Sequence, residues 1–389
     1  MKNLIVGLHS AGHDGNISVY DTKTKDLKYL KFERLTGIKG QYHRDLTTWV
    51  KYLNHLQYDI SQVMIVFVVE GGSFKRTFDF PFLGSEIDFV DHHLAHHWST
   101  FNVNSIVVDA IGSQMDSLSI YKKNQPKLKL NALSHSSLGR DLEELYDVWF
   151  LGNETVAKLR EENFSLRQRI HHAGHIMALS GFGRNFENLL ITPKHLWSLE
   201  NDQYLYKPNT WENYDQFNKK LSKLIKDESF IMNSFITSLH HYWFRKINLH
   251  LQKQFNHNAC ISLSGGVGHN IILNTMIKEQ FPNLTATPHC GDEGLSIGAV
   301  KYGARLLGYK IKKNISDIKQ YDENFGYASS GTISKVAKLI KQGKIVMWGQ
   351  GWGELGPRAL GYRSILADPC LENVKEIINQ NFHHIVLYH

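Results

Sequence analysis

Two histidines four positions apart, His92 and His96, are the first candidates for chemistry in this sequence. On a helix, this spacing places both rings on one face, where they can share a metal ion. Oxygen ligands could come from Asp109, at the end of a predicted strand, and from Asp292, in the loop 291–294. A mixed imidazole–carboxylate set suits iron, manganese or zinc and does not choose among them.

Two alternatives to this metal site stay open from the residues alone. His93 and His97 have the same spacing on the adjacent helix face and could form the pair instead. A histidine-rich helix capped by aspartates, without any metal, is the other alternative, because a histidine pair alone is a weak signal.

A second candidate is the run 352–369, which sets Arg358 and Arg363 among glycines and proline. Glycine lets the backbone approach a ligand, and the arginine fork binds phosphate or carboxylate oxygens. The apolar run 344–348 before it predicts a buried strand. A strand leading into a basic, glycine-rich loop indicates an anion site and favours phosphate as the anion. A basic surface turn is the alternative.

Two further glycine-rich segments, 264–270 and 291–298, each follow a predicted strand and begin a helix. Their backbone N–H groups could bind phosphate or ribose, although a glycine loop alone is weak evidence. Because the second segment contains Asp292, it could place a metal ligand beside a phosphate.

His13 and Asp14 lie in the turn of a predicted hairpin. An imidazole with an ordinary pKa near 6.5 suits a general base, so His13 could accept the proton of a hydroxyl group. A turn histidine with an aspartate cap is the alternative.

Composition sets the limits on function. The 389 residues allow two or three domains, and the formal net charge of +7 favours anionic ligands. The basic residues form only short clusters, so charge permits nucleic-acid binding without arguing for it. Three cysteines at unrelated spacings predict a reducing, cytoplasmic setting, and no apolar run is long enough to span a membrane.

Apolar periodicity predicts the elements that must position these residues. Strands are predicted at 4–8, 17–20, 27–32, 63–69, 87–90, 106–109, 118–121 and 261–263. Helices are predicted at 45–56, 141–150 and 230–255, a linker at 315–330, and a new unit beginning with the strand 344–348. Strand hairpins at the start and two late glycine loops favour an α/β, two-lobed fold of the actin-like ATPase type.

The run 352–369 resembles the signature of the O-carbamoyltransferase family that includes the tobramycin and Nod-factor carbamoyltransferases. These are relatives of the hydrogenase-maturation carbamoyltransferase. The resemblance implies a two-lobed actin-like (Kae-like) domain over residues 1–315 and a partial YrdC-like α/β domain over residues 330–389.

The same resemblance implies a role for each candidate. His92, His96, Asp109 and Asp292 would bind a divalent metal, and the resemblance favours Fe2+. The nucleotide would contact Gly265, Gly266 and Asn270; carbamoyl phosphate or another anion would contact Arg358, Arg363 and Ser364; His13 and Asp14 would be catalytic.

Members of that family form carbamoyl adenylate from carbamoyl phosphate and ATP and pass the carbamoyl group to an acceptor, usually a small molecule with a hydroxyl. This chain departs from the pattern at His175, where the family has lysine, and after Pro369, where members continue much further. We therefore expect a YrdC-like fragment that a second polypeptide could complete. The alternatives are a non-catalytic nucleotide-binding subunit and a relative of the tRNA threonylcarbamoyl transferases.

Overall fold

The computed structural model of the chain describes residues 2–10, 13–38, 40–41, 46–69, 86–109, 118–122, 128–129, 138–146, 173–190, 196–200, 203–207, 210–311, 318–320, 326–351 and 354–381. The strands in this part of the chain are β1 (Leu4–His9), β2 (Asn16–Asp21), β3 (Leu27–Lys31), β4 (Val63–Val69), β5 (Glu86–Val90), β6 (Ser105–Val108), β7 (Leu118–Tyr121), β8 (Leu128–Lys129), β9 (Leu196–Glu200), β10 (Gln203–Lys207), β11 (Ile261–Ser264), β12 (Leu284–Ala286), β13 (Ile318–Gln320), β14 (Val346–Gly349) and β15 (Arg363–Leu366). The α-helices are α1 (Glu33–Thr36), α2 (Leu46–His55), α3 (His92–Ser99), α4 (Leu138–Tyr146), α5 (Ala173–Leu179), α6 (Thr210–Leu221), α7 (Glu228–Gln254), α8 (Ile271–Gln280), α9 (Leu295–Leu306), α10 (Ser330–Lys341) and α11 (Val374–Asn381).

Two mixed sheets repeat one topology. The first has the order β13-β3-β2-β1-β4-β5, and the second has the order β12-β11-β6-β7-β8. In each, three strands form an antiparallel meander. A later strand pairs in parallel with the first strand of the meander, and a further strand pairs in parallel with that one. The later strands must return by crossover connections, which place helices on the sheet faces. This repeat in two α/β layers confirms the predicted two-lobed, actin-like fold class.

Helices cover both sheets with apolar faces. One face of the first sheet packs on α2 through Trp49 and Leu53, and its other face packs on α9 and α3. The second sheet shares a core with α4, α7 and α8, in which Phe235 and Leu239 of α7 are fully buried. The catalytic candidates lie where α3 and α9, at the first sheet, meet β6 and β11 of the second.

Several element boundaries differ from those predicted. Helix α2 begins at Leu46 and ends at His55, whereas Asp45 lies outside the described residues. Helix α4 begins three residues earlier than predicted, at Leu138, and is described to Tyr146. The long helix α7 spans Glu228–Gln254, close to the predicted 230–255, with Asp227 accepting a hydrogen bond from Phe230 N at its start.

The predicted linker 315–330 is wrong in part, because β13 lies within it. This strand pairs in parallel with β3 and therefore adds an edge to the first sheet. A three-residue strand among polar neighbours carries too weak an apolar period to be recognised from sequence.

The strand predicted at 344–348 exists, but its predicted burial is wrong. The strand β14 pairs only with β15 in an antiparallel two-stranded sheet among the described residues. Its side chains alternate between half-buried and exposed, and Met347 is 73% exposed. An apolar run indicates a strand, but it does not determine whether a second layer covers it.

Candidate functional site

Four side chains from three parts of the chain form a compact cluster: His92, His96, Asp109 and Asp292. Their ligand atoms all lie within 4.8 Å of one another. Nε2 of His92 lies 2.9 Å from Oδ2 of Asp109 and 3.5 Å from Oδ1 of Asp292. Nε2 of His96 lies 3.4 Å from each of these carboxylates. The predicted metal-ligand set is thus brought together as one group.

Local structure explains how each ligand reaches the cluster. Helix α3 begins at His92 because the Asp91 carboxylate caps it, accepting a hydrogen bond from Leu94 N at 2.9 Å. The i, i+4 spacing then brings the His92 and His96 rings together, with their Nε2 atoms 3.2 Å apart. Asp109 directly follows β6, and Asp292 opens the 3-10 turn before α9.

The alternative histidine pair is not assembled. Nδ1 of His93 lies 2.7 Å from the Ser119 hydroxyl, and Nδ1 of His97 lies 2.7 Å from the Ser105 hydroxyl. These two rings contact strands of the second sheet and point away from the carboxylates. Between the two pairs, only His92 and His96 share a ligand cluster.

The electrostatics of the cluster suit a cation. Burial lowers the pKa of His92, but the charge of Asp292 and the hydrogen bond to Asp109 outweigh it and raise that pKa to about 10. Burial raises the pKa of Asp109, but the two histidines hold it well below its usual range. One buried carboxylate, Asp109, and one nearly buried carboxylate, Asp292, therefore face the two histidine rings. Metal ions bind such sites by displacing protons, so this donor set fits a divalent metal.

His13 and Asp14 lie beside the cluster. Nδ1 of His13 lies 2.8 Å from Oδ2 of Asp14, and Nε2 of His13 lies 3.5 Å from Oδ2 of Asp292. Burial opposes protonation of His13, but Asp292 and Asp14 raise its pKa to about 9. Asp14 adopts a left-handed backbone conformation, with φ of 53°, at the turn between β1 and β2.

Two residues of this region were not predicted as functional. Lys31, 5% exposed, places Nζ 2.7 Å from Oδ1 of Asp14 and so fixes the carboxylate that contacts His13. His9 is buried, with Nε2 3.0 Å from the carbonyl oxygen of His13 and 3.6 Å from Oδ2 of Asp292. Their signal in the sequence is weak. His9 ends β1 just before the turn that contains His13, and Lys31 ends β3, where it pairs with Asn16 just after that turn.

The glycine loop 264–270 borders the cluster. Gly265 has a φ of 92°, and a Cβ there would collide with the backbone carbonyl of Val108, so only glycine lets the two strand ends meet. Gly266 N donates a hydrogen bond to Oδ1 of Asp109 at 3.1 Å. The predicted nucleotide residues Gly265 and Gly266 therefore lie next to a metal-ligand candidate.

Asn270 has a structural role in addition to any nucleotide contact. Its Oδ1 caps α8 by accepting a hydrogen bond from Leu273 N at 2.9 Å, and its Nδ2 lies 3.0 Å from Nε2 of His240. Sequence reasoning identified the loop correctly but could not see that the Asn270 side chain starts the following helix.

The predicted anion residues occupy the loop before β15 and β15 itself. Arg363 donates from Nη1 to the carbonyl oxygens of Gln350 and Tyr362, at 3.0 Å each, so this part of its fork binds the loop itself. Ser364 lies half-buried in β15, opposite Trp348 of β14. Arg358 is exposed, and its guanidinium lies over Gly174 of α5, next to His175. Arg363 and Ser364 are thus neighbours in β15, whereas Arg358 lies in the loop before it.

A buried carboxylate organises this same loop. Oε1 of Glu354 accepts hydrogen bonds from the backbone N–H groups of Leu360, Tyr362 and Arg363 at 2.7–2.9 Å. At Gly356, with φ of 116°, a Cβ would collide with the carbonyl of Pro288. The loop therefore packs directly on the segment that leads to Asp292.

No helix among the described residues has both the length and the apolar character needed to cross a membrane. Together, the repeated sheet topology and the four-donor cluster define a two-lobed α/β protein of the actin-like class with a buried site suited to a divalent cation.

Parts of the chain are similar to known proteins. Residues 337–385 match the model of the carbamoyltransferase C-terminus. The nodulation protein NolNO of Sinorhizobium fredii is 32% identical over 139 residues, 31% of this chain and 20% of that protein. The nodulation protein U of the same species is 34% identical over 131 residues, 32% of this chain and 23% of that protein. About a third of the chain is therefore similar to these nodulation proteins, and residues 337–385 are similar to a carbamoyltransferase C-terminus, in agreement with the resemblance seen in the sequence.

These matches leave most of each relative uncovered, since the chain spans about a fifth to a quarter of the relatives' length. The crystal structure of full-length HypF in the phosphate- and nucleotide-bound form is similar over 79% of this chain and 56% of that one, at 14% identity and a TM-score of 0.44. That score is too low to support a statement about fold or function, so the fold class rests on the sheet topology.

Proposed function

We propose that this chain transfers a carbamoyl group from carbamoyl adenylate to the hydroxyl of a small-molecule acceptor. Carbamoyl adenylate would be made from carbamoyl phosphate and ATP. The observation that carries the proposal is the junction of the four-donor cluster with the His13–Asp14 pair, which contacts the cluster at Asp292. The similarity of residues 337–385 to a carbamoyltransferase C-terminus supports the carbamoyl chemistry.

Each residue of the site has a task in the proposed reaction. The acceptor oxygen forms a bond to the carbamoyl carbon, the bond from that carbon to the adenylate oxygen breaks, and AMP leaves with the electron pair. The acceptor proton goes to His13, whose ring Asp14 orients. His92, His96, Asp109 and Asp292 would hold a divalent cation, which when bound would stabilise negative charge on phosphate oxygens.

His13 needs its neutral form to accept a proton. Its pKa is raised to about 9 with Asp292 as the largest raising influence. A positive charge beside Asp292 would offset the negative charge of its carboxylate. The pKa of His13 would then fall toward neutrality, where an imidazole is an effective base. This dependence supports placing the base and the cation site side by side.

The unit 1–315 would carry the transfer, with the strand β13 added to its first sheet, and residues 330–389 would belong to the activating unit. A reducing, cytoplasmic setting fits the three cysteines, which are all free.

The test is a transfer assay with synthetic carbamoyl adenylate, a panel of hydroxyl acceptors and metal analysis on the same sample. We expect His92→Gln to lose the bound metal and to reduce transfer about 100-fold or more, since a lost ligand removes both charge and geometry. His93→Gln, on the same helix but bonded to Ser119, is the matched control and should retain both. A wild-type chain that holds no metal and transfers to no acceptor would contradict the proposal and favour a non-catalytic nucleotide-binding subunit.

A further inference from the structure

The glycine loop 264–270 contacts more of the cluster than its role as a nucleotide loop requires. Besides the bond from Gly266 N to Asp109, the Ser264 hydroxyl lies 3.4 Å from Nδ1 of His96. Gly265 N donates to the carbonyl oxygen of Cys290 at 2.7 Å, two residues before Asp292. Asp109, His96 and the segment leading to Asp292 are therefore all bonded to one short loop.

An ion pair strengthens the connection between the glycine loop and the segment that contains Asp292. Nε2 of His269, in the glycine loop, lies 3.0 Å from Oε1 of Glu293, which directly follows Asp292. Glu293 is 3% exposed, and its Oε1 also accepts a hydrogen bond from Gly291 N at 3.3 Å. Nδ1 of His269 lies 3.5 Å from Sγ of Cys290, so the ring is held from both sides.

Protein encloses both partners of this contact. The Glu293 carboxylate is 4% exposed and the His269 side chain is 23% exposed. A buried carboxylate with a charged, hydrogen-bonded partner is expensive to separate, so the pair fixes the spacing of the two loops.

We propose that the His269–Glu293 ion pair is a latch that couples the nucleotide loop to the metal site. Through it, a nucleotide bound at 264–270 would tighten metal binding at the cluster, and metal would tighten nucleotide binding equally. This inference rests on the proposed function, because it takes the loop as a nucleotide site and the cluster as a metal site.

Loop order is the physical basis of the coupling. A ligand at either site must restrict the backbone near it, and the latch makes the two loops order together. The second ligand then binds to loops that are already ordered, so less conformational entropy is lost and the cooperativity is positive. Since coupling free energies are reciprocal, the same factor must appear in both directions of the titration. His269 and Glu293 are therefore positioning residues, which act through the loops.

The test is a reciprocal binding experiment on the full chain. Mn2+ is titrated by the electron spin resonance signal of the free ion, with and without saturating ADP, and ADP is titrated by calorimetry with and without Mn2+. We expect each ligand to tighten the other about tenfold. Wild-type protein that binds neither probe would contradict the proposed function, whereas binding of both without mutual effect would overturn the latch alone.

Variants separate the latch from direct contact between metal and phosphate. His269→Gln and Glu293→Gln keep all four metal-ligand candidates and the glycines, so direct contact would preserve the coupling. We expect both variants to reduce the coupling factor to about twofold or less, and the double variant to reduce it no further. Asp26→Asn, which breaks the exposed Lys319–Asp26 ion pair of 2.9 Å, is the control.

Thermal melts establish that each variant is folded before binding is measured. If Glu293→Gln unfolds because the residue is buried, His269→Gln decides the question, since its side chain is 23% exposed and tolerates the change better. Full coupling in folded His269→Gln would overturn the proposal.

Discussion

The chain has two regions that use their residues differently. The region before residue 321 builds three apolar clusters around two sheets and encloses its polar site between them. In the C-terminal region, 326–381, helix α10 contributes no buried residue, and β14 and β15 form a sheet of two strands. Order in the first region comes from burial, whereas the loop of the second is held by the Glu354 carboxylate and by contact with the first region.

This difference explains why packing defines the geometry of some predicted site residues better than that of others. The histidines and aspartates of the cluster lie at the ends of elements that a large core fixes in place. Arg358, Arg363 and Ser364 lie on a thin hairpin and its loop, where the chain itself satisfies part of the Arg363 fork. Functional geometry is well defined where packing surrounds it on several sides.

The largest expected contrast in stability comes from core truncation. Phe235 of α7 is fully buried, with its ring edge-on to Tyr214 and Phe217 at centroid distances of 5.2 Å. Phe235→Ala should lower the free energy of unfolding by about 3–5 kcal/mol, since it removes a buried ring and leaves a cavity. Urea unfolding measures the change.

The matched substitution in the second region is Ile333→Ala on α10, where the side chain is 54% exposed. Its effect on the free energy of unfolding should stay within about 0.5 kcal/mol. A loss comparable to that of Phe235→Ala would show that another surface covers α10 in solution, and the contrast between the two regions would then fail.

Much of the cluster could be predicted from the sequence because short-range sequence patterns indicate it. The i, i+4 spacing of His92 and His96 and the strand-end position of Asp109 are visible without a structure. The preference for this pair over His93 and His97 depended on the family resemblance. In the structure, the cause is the helix rotation that turns the second pair toward Ser119 and Ser105.

The supporting residues could not be predicted because their partners are distant in sequence. Lys31 meets Asp14 across a hairpin, and His9 meets Asp292 across most of the chain. Such contacts are set by the sheet order and the packing of α9, which sequence periodicity does not encode. The misjudged burial of β14 has the same origin, because an apolar run does not show which layer will cover it.

A pH experiment can sharpen the contrast between the regions. Burial and a nearby positive charge lower the pKa of His289 to about 4, and burial lowers the pKa of His240 to about 4. A depressed pKa means that the unfolded chain binds protons first, so stability is complete above pH 6.5 and falls as the pH approaches 4. Residues 326–381 contain no histidine, so acid should act mainly on the first region.

His240 permits a direct check. At pH 5, this one histidine should cost about 2 kcal/mol relative to pH 8, given its lowered pKa and the linkage relation. His240→Gln, measured by urea unfolding across this range, should flatten the pH dependence by that amount while keeping a polar partner for Asn270. An unchanged slope would mean that His240 is solvated in the folded protein.

In the C-terminal loop, the expected effect on global stability is small because the change should be local. Glu354→Ala removes the acceptor of three backbone N–H groups, and the unsatisfied donors should cost about 1–3 kcal/mol. Leu355 packs in the core of the first region, but no other apolar side chain of the loop 354–362 is buried. We therefore expect local opening and little change in global unfolding. Hydrogen exchange of peptides covering residues 354–366 measures this local opening.

Asp368→Ala is the control, because it removes a single acceptor used by Cys370 N in an exposed turn. It should leave exchange at 360–363 unchanged. If Glu354→Ala instead lowers the global unfolding free energy by the same amount, the loop and the core of the first region unfold as one cooperative unit. Stability would then be shared between the two regions despite their different packing.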